Sequence, residues 1–166
     1  MLNFINKILL FTLIVGVELI YSSTPSSNLK KSSNFIKNCS LPNDFCIVYP
    51  KTFTLKKSKD NREWIIEDKN RNFWMRIEVG ENLNKLSLKE EMKLQERFFD
   101  TLTYSCIKEK NNYFVLSGFK DGYIYYIKSV HFKDKKFRLF IKYKKDLKKN
   151  FDELVTHISH SFKAKK

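Results

Sequence analysis

Hydrophobic and polar residues alternate most regularly between residues 113 and 143, and this pattern predicts three consecutive antiparallel strands. Asp121 and Gly122 suit the positive φ of a tight turn, and residues 133–136 supply a second polar reversal. In the last run, apolar residues at 137, 139, 141 and 143 alternate with mostly charged ones, which predicts one buried face. The middle run is apolar on both sides, as expected of a central strand covered on both faces.

Shorter extended segments precede this meander. Residues 45–49, 52–57, 63–67 and 73–79 carry β-branched and aromatic side chains at strand spacing, with polar turns between them. Residues 101–108 form a further predicted strand directly before the meander. Together these segments predict an antiparallel sheet of about six to seven strands.

Two helices complete the predicted fold. Ser87 and Glu90 have the spacing of a capping box, and a stripe at helical spacing runs through Leu88, Met92, Gln95, Phe98, Phe99 and Leu102. Asp146 is expected to cap the second helix, whose buried face consists of Leu147, Phe151, Leu154, Val155, Ile158 and Phe162. We therefore predict a single α+β domain over residues 39–166, in which helices flank the antiparallel sheet.

Residues 1–22 have the pattern of a secretory signal peptide. Ten uncharged, mostly aliphatic residues follow Lys7, and polar residues begin at Ser22. This run is shorter than the roughly twenty apolar residues that span a membrane, although an uncleaved membrane anchor is the alternative. We expect cleavage near Ser22 or Ser23 and an exported protein, periplasmic or secreted, in which residues 23–38 form a flexible polar linker.

The three cysteines predict one disulfide and one free thiol. Cys39 and Cys46 flank a short turn, so an exported protein is expected to join them, with two free thiols or a metal-binding pair as the alternatives. Cys106 alternates in phase with Leu102 and Tyr104, which predicts a buried thiol on the apolar side of a strand. A catalytic role for this thiol would require a neighbouring base, and His131 is the strand histidine available.

The net charge of +14 comes mainly from lysine, with 27 lysines and 5 arginines. Bidentate reading of phosphates and bases favours arginine, so specific nucleic-acid recognition is not expected. The interpretations that remain are a solvated basic surface and a site for a polyanion or an anionic membrane. The candidate residues, here called the lysine ridge, are Lys135, Lys136, Lys142, Lys144, Lys145, Lys148 and Lys149.

The histidines on the second helix are only weak evidence for a metal-binding site along its polar side. Glu153, His157 and His160 lie on its predicted polar side, but they lack the i,i+4 histidine pair and the further ligand typical of zinc sites. We interpret both histidines as exposed structural residues, and the sequence predicts no metal and no cofactor.

Several short motifs of this sequence resemble those of the PsbP-like superfamily: FCIVYP at 45–50, VLSG at 115–118, DGYIYY at 121–126 and HSF at 160–162. This superfamily includes the PsbP subunit of the oxygen-evolving complex, a nuclear import factor that binds the Ran GTPase, and small exported bacterial proteins. The resemblance covers residues 44–163 and implies an α/β/α sandwich and a non-catalytic accessory role. No residue of a family binding site can be matched in this chain.

Three functions follow as expectations. The first is an exported, non-catalytic module that docks a protein partner. The second is a lysine-rich binder of anionic lipid or polysaccharide surfaces. The third is a small hydrolase or thiol enzyme that uses Cys106, although the sequence contains no catalytic constellation around it.

Overall fold

The computed structural model describes residues 34–40 and 44–164 of the chain. Its strands are β1 (Phe35–Ser40), β2 (Phe45–Pro50), β3 (Thr54–Lys57), β4 (Glu63–Glu67), β5 (Phe73–Glu81), β6 (Thr101–Lys108), β7 (Tyr113–Lys120), β8 (Tyr123–Phe132), β9 (Lys135–Lys144) and β10 (Lys163–Ala164). Its helices are α1 (Leu88–Glu96) and α2 (Lys148–Ser161), and 3₁₀ turns cover Glu109–Asn111 and Lys145–Leu147.

Seven strands form one antiparallel sheet in the order β3-β4-β5-β9-β8-β7-β6. The predicted meander is confirmed as β7, β8 and β9, and its first turn uses positive φ angles at Asp121 (49°) and Gly122 (77°). The alternation in β9 is also confirmed, because every second residue from Phe137 to Tyr143 is buried. Strand β9 lies between β5 and β8, so the last long strand joins the two halves of the sheet.

The two faces of this sheet are covered by different layers. Helix α2 and a small antiparallel sheet, in the order β1-β2-β10, pack on one face around Phe45, Ile47, Ile158 and Phe162. Helix α1 packs on the other face near β7, where Phe114, Leu116 and Ile127 form a second core cluster. The predicted α+β fold with helices on both faces of an antiparallel sheet is therefore confirmed.

The start of the fold differs from the sequence-based expectation. Strand β1 begins at Phe35, and residues 35–38, assigned above to the flexible linker, pair with β2 from Phe35 opposite Pro50 onward. The pairing supplies backbone hydrogen bonds that composition alone does not reveal. The predicted signal peptide and residues 23–33 lie outside the described residues.

The disulfide is present as predicted. Cys39 and Cys46 lie directly opposite each other in the β1–β2 register and are bonded. The bond therefore ties β1 to the strand that anchors the small sheet.

The cap expected for the second helix is wrong. Asp146 lies in the 3₁₀ turn, and α2 begins at Lys148 after Leu147, which makes no side-chain capping bond. Instead, the Tyr143 hydroxyl donates a 2.8 Å hydrogen bond to Asp152 Oδ1, and Lys148 pairs with the same carboxylate. The bond from Tyr143 to Asp152 therefore attaches the second turn of α2 to β9.

Within residues 34–40 and 44–164, no helix has the length and apolar character needed to cross a membrane.

Candidate functional site

The seven-stranded sheet ends in two very different edges. Edge strands present unpaired N–H and C=O groups, and proteins usually protect them with short strands or charged side chains. Strand β3 has both protections, since it is four residues long and ends in Lys56 and Lys57. Strand β6 is eight residues long and carries no charge from residue 101 to residue 107. Within the described part of the chain, no strand pairs with the outer side of β6.

Large side chains of β6 are open to solvent. Leu102 is 38% exposed and Tyr104 is 53% exposed, although both would favour burial. The register shifts between these residues, so Thr103 bulges and its hydroxyl donates a 3.0 Å hydrogen bond to the Ser117 carbonyl. Beyond the bulge, pairing with β7 is regular from Tyr104 to Lys108.

The bulge corrects the prediction for Cys106. An extra residue at 103 inverts the alternation, so Cys106 shares a face with Tyr104 but not with Leu102. Helix α2 covers that face over β8 and β9, two and three strands away, and Cys106 is consequently half-buried rather than buried. A hydrogen bond with Cys106 raises the pKa of the Tyr104 hydroxyl.

The base required for thiol chemistry is not supplied by His131. The register places His131 on the opposite face of the sheet from Cys106, and its Nε2 atom lies 2.8 Å from Glu91 Oε2. The structure therefore does not bring together the pair of residues considered for a thiol enzyme.

Glu91 is a central residue that the sequence did not predict. It is 2% exposed and is the buried residue of α1, where the helical stripe had indicated Leu88 and Met92. Arg138 Nη2 donates to Oε1 at 2.7 Å, Ser129 Oγ donates to the same oxygen at 3.0 Å, and Lys136 Nζ lies 3.6 Å from Oε2.

The environment of Glu91 keeps the carboxylate charged. Burial by itself raises the pKa of a carboxyl group, but hydrogen bonds from His131 and Arg138 and the charges of Arg138 and Lys136 lower the pKa of Glu91 to about 2. The ion cluster fastens α1 to β8 and β9, and thereby positions the helix beside the open edge.

The predicted lysine ridge divides into two separate groups. Lys135 and Lys136 lie at the start of β9, where Lys135 Nζ is 3.9 Å from Asp44 Oδ2 and Lys136 contacts Glu91. The others lie at the far end of β9, in the following 3₁₀ turn and at the start of α2, and Lys144 is about 26 Å along the strand from Lys136. The sequence could not separate them because residues close in number lie far apart along an extended strand.

The second group of lysines is only partly engaged by neighbours. Lys142 Nζ lies 4.0 Å from the Tyr123 ring centroid, Lys145 Nζ lies 4.7 Å from that of Phe119, and Lys148 pairs with Asp152. Lys144 and Lys149 are exposed and form no ion pair within the described residues.

Comparison with solved structures identifies proteins that have a similar fold. No protein-family model matches the chain, and no curated protein matches its sequence. The solution structure of cyanobacterial PsbP (CyanoP) from Synechocystis sp. PCC 6803 superposes with a TM-score of 0.64 at 12% identity, covering 84% of this chain and 97% of CyanoP. The Ran-binding protein Mog1p of Saccharomyces cerevisiae superposes with a TM-score of 0.57 at 8% identity, covering 79% of this chain and 95% of Mog1p.

The chain has the PsbP-like fold. The resemblance inferred from the sequence is confirmed at the level of fold. At these identities the likeness shows the fold alone and identifies no site residue of this chain.

The histidines of α2 lie on its solvent-exposed side. His157 is exposed and its ring centroid lies 4.6 Å from that of Phe35, while Glu153 and His160 are also exposed. Among residues 34–40 and 44–164, no group of three or more His, Cys, Asp or Glu side chains could hold a metal ion.

Proposed function

We propose that the protein is a non-catalytic binding module that docks a protein partner by adding a partner strand to β6. The observation that carries the proposal is the long, uncharged and exposed edge formed by residues 101–107. In strand addition, backbone hydrogen bonds supply affinity, and alternate side chains of the added strand meet the two faces of the sheet.

The side chains beside this edge suit a protein ligand. Tyr104 is exposed, Tyr113 is half-buried, and the sheet register places Tyr126 on the same face, where its hydroxyl is hydrogen-bonded to Ser159. Burial raises the pKa of Tyr126 to about 12, so this phenol remains a neutral hydrogen-bonding group. Tyrosines are enriched at protein interfaces because they combine apolar area with a polar end.

Charge favours an acidic extended segment as the partner. The chain carries a net charge of +14, and Lys108 and Lys110 follow the uncharged stretch of β6. The same charge opposes pairing of two copies along this edge, because like charges repel. The Ran-binding function named for Mog1p supports the general idea that this fold presents surfaces to proteins.

Export is part of the proposed role. Residues 1–22 have the signal-peptide pattern, and the Cys39–Cys46 disulfide suits an oxidising compartment. The partner is therefore expected in the periplasm or outside the cell.

The test combines a charged edge variant with a matched control. Tyr104→Glu adds one negative charge to the open edge, which repels an acidic segment, whereas Thr54→Glu adds the same charge to the protected edge β3. After a partner has been captured from the exported fraction and purified, we expect Tyr104→Glu to weaken its binding at least tenfold and Thr54→Glu to leave it unchanged.

Hydrogen exchange locates the contact on the backbone. Partner binding should slow amide exchange in residues 101–107, because a new strand protects the edge. Equal binding by the parent and Tyr104→Glu, with protection elsewhere in the chain, would contradict the strand-addition proposal. Self-association without a partner would assign the edge to a second copy instead.

A second candidate function is binding of anionic lipid or polysaccharide surfaces through the α2 end of the lysine ridge. Its specific support is that Lys144 and Lys149 are exposed and form no ion pair within the described residues. Charge reversal of Lys144, Lys145 and Lys148 to Glu should abolish salt-sensitive binding to phosphatidylserine vesicles or heparin. If the triple variant binds both as tightly as the parent at physiological salt, these lysines form only a solvated face.

A further inference from the structure

A cavity of about 790 Å³ opens where α2 ends and β10 begins, and its lining includes none of the seven lysines of the lysine ridge. Its walls come from the 3₁₀ turn before β7, the last part of β8, the end of α2 and β10. Four of its lining residues are basic and lie on its side of the sheet or on its other walls: Lys110, Lys128, His160 and Lys163. His131 also borders it, but its ring lies on the opposite face of the sheet, against Glu91. Among the described residues, no aspartate or glutamate lines the cavity.

Lys128 is the buried cation of this cavity. It is 7% exposed, and its Nζ atom donates to the carbonyl oxygens of Ser159, at 2.7 Å, and Phe162, at 3.1 Å. An ammonium group has three N–H donors, so these two bonds leave one donor for a further acceptor. The same Nζ atom lies 4.8 Å from the ring centroid of Tyr113, which also lines the cavity.

The charge of this ammonium group is poorly compensated. Burial, assisted by the nearby charge of Lys163, lowers the pKa of Lys128 to about 8. The carbonyl groups at the end of α2 offset part of the cost through hydrogen bonds and the helix dipole. They carry no full negative charge, and no carboxylate is paired with Lys128 in the described part of the chain.

Apolar surface lies next to these cations. Tyr113 and Phe132 line the cavity, and each is half-buried, so part of each ring is accessible there. A cavity that combines an aromatic wall with a few convergent polar donors is the usual form of a small-molecule site, and its size falls within the usual range.

We propose that this cavity binds a small organic anion whose carboxylate or phosphate group contacts Lys128 and Lys163 while its apolar body packs against Tyr113 and Phe132. The anion supplies the missing negative charge and accepts the remaining N–H of Lys128. Tyr113 and Lys110 lie beside both this cavity and β6, but Lys128 and Lys163 belong to the cavity alone, so either proposal can fail without the other.

Titration with simple probes tests the site. Benzoate and phenyl phosphate present the two head groups, benzyl alcohol presents the ring without the charge, and inorganic phosphate presents the charge without the ring. In an NMR titration of the disulfide-bonded protein, we expect saturable shifts at Asn112, Tyr113 and Lys128 with benzoate or phenyl phosphate. Benzyl alcohol and inorganic phosphate should bind at least tenfold more weakly.

A charge-matched pair of variants separates local binding from general attraction. Lys163→Glu reverses an exposed cation in the cavity, whereas Lys69→Glu makes the same change in the turn between β4 and β5. We expect Lys163→Glu to weaken binding at least tenfold, equivalent to about 1.4 kcal/mol, and Lys69→Glu to change it little.

The pH dependence identifies the buried lysine. Raising the pH from about 7 to about 9.5 removes the charge of Lys128 and should weaken probe binding at least tenfold. Lys110, Tyr113, His160 and Lys163 also face this space, and His131 borders it from the other face of the sheet, so Lys128→Met is the control that should abolish most of the change. If that variant does not fold, the Lys163→Glu and Lys69→Glu comparison decides the question. Absence of saturable shifts at the cavity, or equal weakening by both Glu variants, overturns the proposal.

Discussion

Glu91 stabilises the position of α1 through charge rather than apolar contact. Its carboxylate accepts hydrogen bonds from Ser129 and Arg138, contacts His131 and lies near Lys136. A buried carboxylate is costly unless it is paired, and here the partners lie on two adjacent strands. The cluster consequently fixes both the height and the rotation of α1 above the sheet.

Replacing this carboxylate should destabilise the fold. Glu91→Gln keeps the shape of the side chain but leaves Arg138 and His131 without their anion, and we expect a loss of about 3 kcal/mol in the free energy of unfolding. Urea denaturation measures it. Glu96→Gln makes the same chemical change near the end of α1, outside the ion cluster, and should cost under about 0.5 kcal/mol. Equal effects of the two substitutions would show that the cluster contributes little.

The same residue predicts how stability depends on pH. The pKa of Glu91 is about 2 in the folded protein, whereas its ordinary value, taken here for the unfolded chain, is 4.5. As the pH falls, the unfolded chain therefore takes up this proton before the folded protein does. The contribution of Glu91 is therefore complete above about pH 4.5 and disappears as the pH approaches about 2. The difference in unfolding free energy between the parent and Glu91→Gln should narrow across this interval, and a constant difference would contradict the assigned cause.

Strand β6 depends on close contact at Gly118 of β7. A Cβ atom at this position would lie 2.4 Å from the Thr101 carbonyl oxygen and 2.6 Å from Phe99 Cδ1. The backbone of β6 and the chain leading into it thus approach β7 more closely than any side chain allows. This contact fixes the start of the exposed edge.

Gly118→Ala should therefore disturb β6 selectively. We expect a loss of about 1–3 kcal/mol from overpacking, with faster amide exchange in β6 than in β8 or β9. Gly80→Ala is the matched control, because nothing lies within 4 Å of its Cβ position. Thermal unfolding and hydrogen exchange measure both effects, and unchanged stability of Gly118→Ala would argue against a tightly fixed edge.

The disulfide stabilises the β1–β2 pair at the scale of one element. Closing a loop this short restricts the unfolded chain by about 2–3 kcal/mol in the chain-entropy model. Replacing Cys39 and Cys46 by serine should reduce stability by about that amount, with the largest increase in amide exchange in β1. Non-reducing peptide mapping should link these two cysteines, and a link from Cys106 to either would overturn the pairing.

At the scale of the whole molecule, the two faces of the sheet receive unequal cover. Helix α2 and the small sheet cover the centre of one face. Helix α1 covers the opposite face near β7. Within the described residues, no strand of either layer pairs with the outer side of β6. This unequal cover is the reason that we propose β6 as the docking edge.

Export is the prediction that concerns the entire chain. Protein recovered from the periplasm or the medium should lack its first 22 or 23 residues, which N-terminal sequencing and intact mass measure. Removal of residues 1–22 takes away one lysine and one glutamate, so the net charge stays at (32 − 1) − (18 − 1) = +14. A full-length protein confined to the cytoplasm would refute export, and a full-length membrane-bound protein would favour the uncleaved anchor.

Much of the fold follows from local pattern. The alternation in β9, the turn at Asp121 and Gly122, and the capping box at Ser87 each depend on neighbours within a few residues, so the sequence reveals them directly. The Cys39–Cys46 bond was predictable for the same reason, since a short turn brings the two residues together.

Tertiary structure alone decided which surfaces are covered and which charges meet. Periodicity tells which residues share a face, but it does not say that β9 enters between β5 and β8 or that α1 brings Glu91 to Arg138. A single bulged residue, Thr103, was sufficient to separate Leu102 from the face of Cys106, and extension of β9 separated Lys136 from Lys144. These outcomes depend on contacts between residues distant in the sequence, whose free energies no local pattern records.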